Sequence, residues 1–186
     1  MRHQRDKGGV VEIGWVAERL KAQFGEGVEG VQTPGGDEAI VVSASALPDV
    51  CCFLRDDPDL RFEMLNCITA VDYLQTDPKK AAKTPWQPHL ELLYHLSSLT
   101  HRTRLTLKVM LPRWQDDVPG RLPQVPSVTG VWKAAEWHER EVYDLSGVDF
   151  IGHPDLRRIL CPEDWEGHPL RKDYQMPKEY HGIRVR

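Results

Sequence analysis

The stretch from Arg102 to Val109 reads RTRLTLKV. Arg102, Arg104, Thr106 and Lys108 alternate with Thr103, Leu105, Leu107 and Val109. A period of two sends alternate side chains to opposite faces, so this segment reads as a strand with one buried and one polar face. The preceding run, HLELLYHLSSL from His89 to Leu99, reads as a second strand, joined to the first by a turn near Ser98–His101. Two long strands joined by a tight turn commit the chain to a sheet, and a sheet with one apolar face needs helices packed on it.

The remaining segments supply those helices. Val10, Ile13, Val16, Ala17, Leu20 and Phe24 recur in steps of three and four, which predicts an amphipathic helix over Val10–Phe24, ended by Gly25 and Gly27. Residues 1–9 are polar and read as a flexible N-terminus. Val28–Val31 and the β-branched run AIVVSA are strand candidates, with TPGGDE turning between them. Pro48 suits the first turn of a helix over Leu47–Arg55, and Phe62–Leu74 reads as a further strand. TDPKKAAKTPWQP and DDVPGRLPQVPS read as loops. Ser127 can cap a helix over VTGVWKAAEWHEREVYDLSG, whose Val131, Trp132, Ala135, Val142 and Leu145 form an apolar stripe and whose Gly147 suits the C-terminal cap. The order helix, strand, strand, helix, strands, helix, tail predicts an α+β domain over residues 10–150 with a mostly antiparallel sheet.

Residues 148–186 contain four Pro and three Gly, so most of this stretch cannot be regular structure. A short helix over Pro154–Ile159 is the exception expected. The rest, from residue 151 to 186, reads as a long irregular tail. It is rich in Trp, Tyr, Arg and Leu, and is shaped to lie along a partner rather than to pack on itself.

Composition narrows the function. A net charge of −4 and a pI near 6.1 argue against nucleic acid as the main partner. No apolar run reaches the length of a membrane span, and the charged N-terminus lacks the apolar core of a secretory signal, so contact with a membrane is expected only through a partner. Cys51, Cys52, Cys67 and Cys161 form no CxxC pair and read as free thiols in a reducing compartment. There is no phosphate-binding glycine motif and no nucleophile elbow.

The last helix carries Glu136, Glu139, Glu141 and Asp144 around His138 and Arg140. A metal-dependent hydrolase could use Glu136, His138, Glu139 and Asp144. Against this, Glu136 and His138 lie two apart and diverge on a helix, and neither HExxH nor ExxH occurs. The plainer reading is an ion-pair-laced face in which Arg140, four residues from both Glu136 and Asp144, bridges them. His89, His95 and His101 recur at steps of six, but the turn between the strands breaks any ladder, and no metal is expected. GHP occurs at residues 152–154 and 167–169, and in each case Pro holds the preceding His extended, free to donate to a backbone carbonyl or to sit at an interface. In PLRKDY, Arg171 could bond a partner's carboxylate in bidentate fashion, as could Arg157 and Arg158.

EREVYDLSGVDFIGHPDLRRIL, from Glu139 to Leu160, resembles the signature of the thirty-kilodalton or C subunit of respiratory complex I, NADH–quinone oxidoreductase. Glu139, Arg140, Glu141, Asp144, His153, Arg157, Ile159 and Leu160 fill its places; Ser146 departs from it, standing where a bulky apolar residue is usual. CPEDWEGHPLRKDY resembles the family's tail, and QVPSVTGVWKAAEW a segment upstream. The resemblance is close only from Gln124 onward. It implies an α+β fold with an extended partner-docking tail, and a non-catalytic scaffold in the peripheral arm, the part that passes electrons from NADH to quinone. It implies no catalytic, cofactor-binding or metal-ligating residue in this chain, with FMN, iron–sulfur clusters and quinone held by partner subunits. The implied partners are subunits D, B and I, and the implied location is the cytoplasmic side of the cell's inner membrane, peripherally bound. Interface or structural roles then fall to Glu139, Arg140, Glu141 and Asp144, which would anchor the helix, and to His153 and Pro154, which would fix the turn. Arg157, Arg158, Arg171, Asp173 and Tyr174 would face a partner or pin the tail. The equivalent subunit of a ferredoxin-linked or hydrogenase-type relative is the alternative, because the electron donor binds elsewhere.

Overall fold

A computed structural model describes residues 12–33 and 38–184 of the chain. The predicted flexible N-terminus, the first two residues of the predicted first helix and most of the TPGGDE turn lie outside the described residues. Helix α1 spans Ile13–Phe24, strand β1 Val28–Gln32, β2 Ala39–Val42, α2 Leu47–Asp56 and β3 Met64–Tyr73. A single turn, α3, covers Pro78–Ala81 inside the predicted loop. Then come β4 (His89–Ser98), β5 (Thr103–Pro112), β6 (Gln124–Pro126), α4 (Ala135–Ser146), β7 (Asp149–Ile151), β8 (Glu179–Tyr180) and β9 (Ile183–Arg184).

The main sheet runs β1-β2-β5-β4-β3. The β4–β5 hairpin pairs in unbroken register from His89↔Pro112 to Ser98↔Thr103. Its ladder, β3–β4 and β1–β2 are antiparallel, whereas β2 joins β5 in parallel, with Ile40 opposite Leu107. A parallel neighbour needs a long crossover, and α2, β3 and β4 form it. The sheet is therefore mixed, with antiparallel ladders in the majority.

Alternation sets the core. Leu90, Leu92, Tyr94 and Leu96 of β4 and Leu105, Leu107, Val109 and Leu111 of β5 join Val16 and Leu20 of α1, Leu47, Val50 and Leu54 of α2, and Val142 of α4 in one buried cluster. The opposite face is polar, as the period of two predicts, but Lys108 is not solvated there. It is 1% exposed and donates to Glu91 at 2.9 Å. A lysine this deep persists only because a carboxylate neutralises it.

Two predicted helices change shape. The last helix begins at Ala135 rather than near Val128, because Ser127 and Val128 are engaged elsewhere. Ser127 Oγ donates to Glu139 Oε2 at 2.7 Å and accepts the N–H of Thr129, while the Val128 N–H donates to Glu139 Oε1 at 2.7 Å. The chain crosses 128–134 in turns and sends Trp132 into the core, where its Nε1 donates to the Phe62 carbonyl at 3.1 Å. The short helix expected at Pro154–Ile159 does not form. Asp144 takes the Ile159 N–H, which such a helix would have given to the Asp155 carbonyl, and the segment stays extended and turned.

Candidate docking surface

Helix α4 ends at Ser146, with Gly147 in the left-handed conformation at φ 68°. A helix end leaves its last carbonyls without partners and carries partial negative charge. Here the tail supplies the partners. The Asp144 carbonyl accepts from Arg158 Nη1 at 3.2 Å and from His168 Nδ1 at 3.0 Å. The Leu145 carbonyl accepts the Leu170 N–H at 2.8 Å. Arg171 donates from Nε to the Ser146 carbonyl at 2.8 Å and from Nη2 to the Gly147 carbonyl at 2.9 Å. It also donates from Nη1 to the Arg113 carbonyl at 2.7 Å, and its guanidinium lies 3.9 Å from the centroid of the Trp114 ring. Burial and the nearby Arg113 pull the Arg171 pKa down to about 10, so it stays a cation near neutral pH. Two arginines and a histidine of the tail thus close the C-terminus of α4.

Asp144 and Arg140 of the helix bind the tail from the other side. Asp144 is 0% exposed. Its Oδ1 accepts from Arg158 at 2.6 Å, and its Oδ2 accepts the successive N–H groups of Ile159, Leu160 and Cys161 at 3.0, 2.7 and 2.7 Å. Burial alone would raise this carboxyl. The Cys161 N–H, Arg158 and the other two N–H groups outweigh it and hold the group below its ordinary value. Arg140 donates from Nε to the Arg157 carbonyl and from Nη2 to the Arg158 carbonyl, at 3.2 and 3.1 Å. The expected bridge from Arg140 to Glu136 and Asp144 does not form, because Arg140 points along the tail and Asp144 is already saturated.

The other expected site residues divide between inside and outside. Glu139 is 0% exposed and turns away from the tail, onto Ser127 and Val128. Burial pushes its pKa up to about 7 against the pull of those two bonds. Glu141 is exposed, with no hydrogen-bond or ion-pair partner among the described residues. His153 Nε2 donates to the Glu136 carbonyl at 3.0 Å and its Nδ1 accepts the Asp155 N–H at 3.0 Å, which orients the ring at the turn that the exposed Pro154 continues. Arg157 is solvated beside Asp155. Tyr174 packs against Gly167, and its buried hydroxyl has no partner among the described residues. Arg171 faces its own domain rather than a partner's carboxylate, since three backbone carbonyls converge on its fork.

Sequence reasoning missed Arg113 and Asp72. Arg113 forks onto Asp72 of β3 at 2.7 and 2.8 Å and reaches Asp173 of the tail at 2.8 Å, while the Lys172 N–H donates to Asp72 at 2.9 Å. Burial works against the charge on Arg113, but the two carboxylates outweigh it and hold the guanidinium above its ordinary range. The available signal was an arginine directly after β5 with no acid beside it in sequence.

Besides the side chains that pin it, the tail presents apolar side chains outward. Leu160, Leu170, Met176 and Ile183 are 62, 60, 57 and 72% exposed, and Trp137 of α4 is 60% exposed. Among the described residues no group of three or more His, Cys, Asp or Glu is placed to hold a metal. Glu139 and Asp144 are tied to different segments, so they do not converge with Glu136 and His138 on one centre. His89, His95 and His101 are likewise apart: His89 stacks on Tyr73, His95 meets Thr106, and His101 meets the Pro58 carbonyl. No helix of the described residues is long and apolar enough to cross a membrane.

The family model described as respiratory-chain NADH dehydrogenase, 30 Kd subunit, matches residues 40–180. The chain belongs to this family. It is 44% identical over 164 residues to the NADH-quinone oxidoreductase C subunit of Roseiflexus sp. (strain RS-1), covering 88% of this chain and 84% of that one. To the subunit of the same name from Chloroherpeton thalassium it is 39% identical over 168 residues, spanning 89% of this chain but 62% of the longer relative. Among solved structures it is similar to the trypsin-resistant fragment of Nqo5, with a TM-score of 0.54 at 30% identity, covering 76% of this chain and 97% of the fragment. It is also similar to a chain of the membrane-bound sulfane sulfur reductase, an archaeal respiratory membrane complex, with a TM-score of 0.62 at 25% identity, covering 87% and 85%. The family match runs from within β2 to the end of β8, and so contains both α4 and the tail segment that closes it.

Proposed function

We propose that this chain is the thirty-kilodalton subunit of a proton-translocating NADH–quinone oxidoreductase and a non-catalytic scaffold in its peripheral arm. The observation that carries this reading is the 44% identity to the Roseiflexus relative over 88% of the chain. The outward apolar side chains of the tail support it, because a stretch pinned by its polar groups and bare on its apolar side is suited to cover by other proteins. The buried Trp165 Nε1 and Tyr174 hydroxyl, without partners among the described residues, belong to the same stretch. In this reading subunits D, B and I are the neighbours, and they hold the iron–sulfur clusters and the quinone or pass electrons on from FMN. This chain orders them and transfers no electron itself. The complex sits on the cytoplasmic side of the inner membrane, which this chain meets only through partners.

Purification of the tagged chain from gently solubilised native membranes tests the reading. Recovery of a large assembly with NADH–quinone activity supports it, and recovery of a lone chain overturns it. The likeness to a chain of the sulfane sulfur reductase favours a second reading, the equivalent subunit of a related machine. An assembly that ignores NADH and accepts ferredoxin would select it.

A further inference from the structure

β3 is an edge strand of ten residues, paired on one side only, to β4. Along its other side, alternate N–H and C=O groups meet no strand among the described residues. Proteins guard such edges with lysine, proline, inward charges or bulges. Here the guards stand at the two ends. A bulge lies between Leu65 and Cys67, and Asp72 is drawn onto Arg113. Between them Cys67–Val71 reads CITAV, with no charge and no proline. Left open, such a window is an aggregation hazard.

A small groove of about 120 Å³ runs beside this window, between β3 and α4. Ile68, Ala70, Val142, Leu145 and Leu170 line it, and so does Glu141, which is exposed and has no partner among the described residues. We propose that the free edge of β3 takes an extended strand of a partner protein, which places an aliphatic side chain in the groove and a lysine or arginine on Glu141. Only an extended backbone offers the alternating donors and acceptors that the edge lacks. The unpaired acid selects a cationic flank. A second copy of this chain fits poorly, since two-fold pairing brings the same surface from each copy, Glu141 included, and supplies no cation. The proposal rests on the subunit reading above and names the kind of contact that one partner makes.

The test uses the intact assembly recovered through the tagged chain. Hydrogen exchange over residues 66–72 counts protected amides, and a photo-crosslinking amino acid at position 69, where Thr69 is exposed, captures the neighbour. The expected result is protection of every amide in Cys67–Val71, at least ~100-fold relative to an unbonded amide, with crosslinking to one partner polypeptide. Glu141→Lys, which disturbs no bond within the described residues, should lower that crosslink at least ~10-fold. Thr69→Lys, made in a chain without the crosslinking residue, adds a guard to the edge and should return Cys67–Val71 to alternating protection. Alternating protection within an intact assembly would show that only β4 bonds the strand, and would overturn the edge proposal while the subunit reading stood. A crosslink to a second copy would overturn the choice of occupant. A chain that joins no assembly would overturn both readings.

Discussion

Glu139→Gln isolates the energetic role of the buried acid. Burial pushes the Glu139 pKa from 4.5 up to about 7, against the N–H of Val128 and the hydroxyl of Ser127. An unfolded chain has no such burial, so its glutamate titrates near 4.5. Between these values the folded state holds a proton that the unfolded state has released. Stability therefore falls as pH rises through this window and levels off above the folded pKa. The difference of about 2.5 pH units corresponds to roughly 3 kcal/mol lost between pH 4.5 and pH 8. Glutamine keeps the shape, accepts the Val128 N–H through its oxygen and cannot ionise. The two proteins should unfold alike near pH 5, and the variant should be the more stable by roughly 2–3 kcal/mol at pH 8. Denaturant unfolding of both chains at several pH values reads the difference directly. Parallel pH profiles would refute the reasoning and show that the two donors keep Glu139 ionised at an ordinary pKa.

Arg171→Ala strands three buried carbonyls, at Arg113, Ser146 and Gly147; a loss of about 3 kcal/mol in chemical unfolding is expected, and Arg171→Lys should recover only part of it because one ammonium cannot span the fork. Asp144→Asn should destabilise the tail, and wild-type stability should itself fall as acid protonates Asp144 below its ordinary value, because its folded pKa is depressed; exchange of the Leu160 and Cys161 amides reports both. Gly147→Ala combines a left-handed φ of 68° with a Cβ 2.5 Å from the His168 ring, so a loss of about 1–3 kcal/mol in thermal unfolding is expected. Deleting residues 176–186 should leave the domain folded and weaken assembly, whereas deletion from Pro169 should also lower the melting temperature, because it removes Arg171.

The sheet and its helices were legible because alternation and three-to-four spacing report burial within one segment. The β4–β5 hairpin, α2 with its early proline and the Gly147 cap follow from such local signals. The parallel β2–β5 pairing was not legible, since nothing in four mostly β-branched residues states which strand they meet. The start of α4 was misplaced for a related reason. Ser127 has the chemistry of a helix cap, but its hydroxyl serves Glu139, twelve residues on. Likewise Arg140 has two acids at helical spacing, yet it bonds the carbonyls of residues 157 and 158. Helical spacing states which partners are within reach; competition from a tail that folds back decides among them.

That competition explains how a segment so rich in charge fixes its own path on the domain, with Glu139, Arg140, Asp144 and Arg171 buried. A helix C-terminus needs donors, and donors brought by a tail must come from cations or free N–H groups. Arg158, His168 and Arg171 meet that need, while Asp144 neutralises Arg158 and gathers the N–H groups of three successive residues. The charges in the stretch from Glu139 to Arg171 are therefore largely spent within the chain, fixing the path of a segment that has little hydrogen-bonded structure of its own. A tail so fixed would lose little conformational entropy on cover of Leu160, Leu170 and Met176 by a partner, because pre-ordered apolar surface binds at lower entropic cost than a free segment. It follows that substitutions in the charged signature should act on binding through the shape of the tail, and substitutions at the outward leucines should act on binding alone.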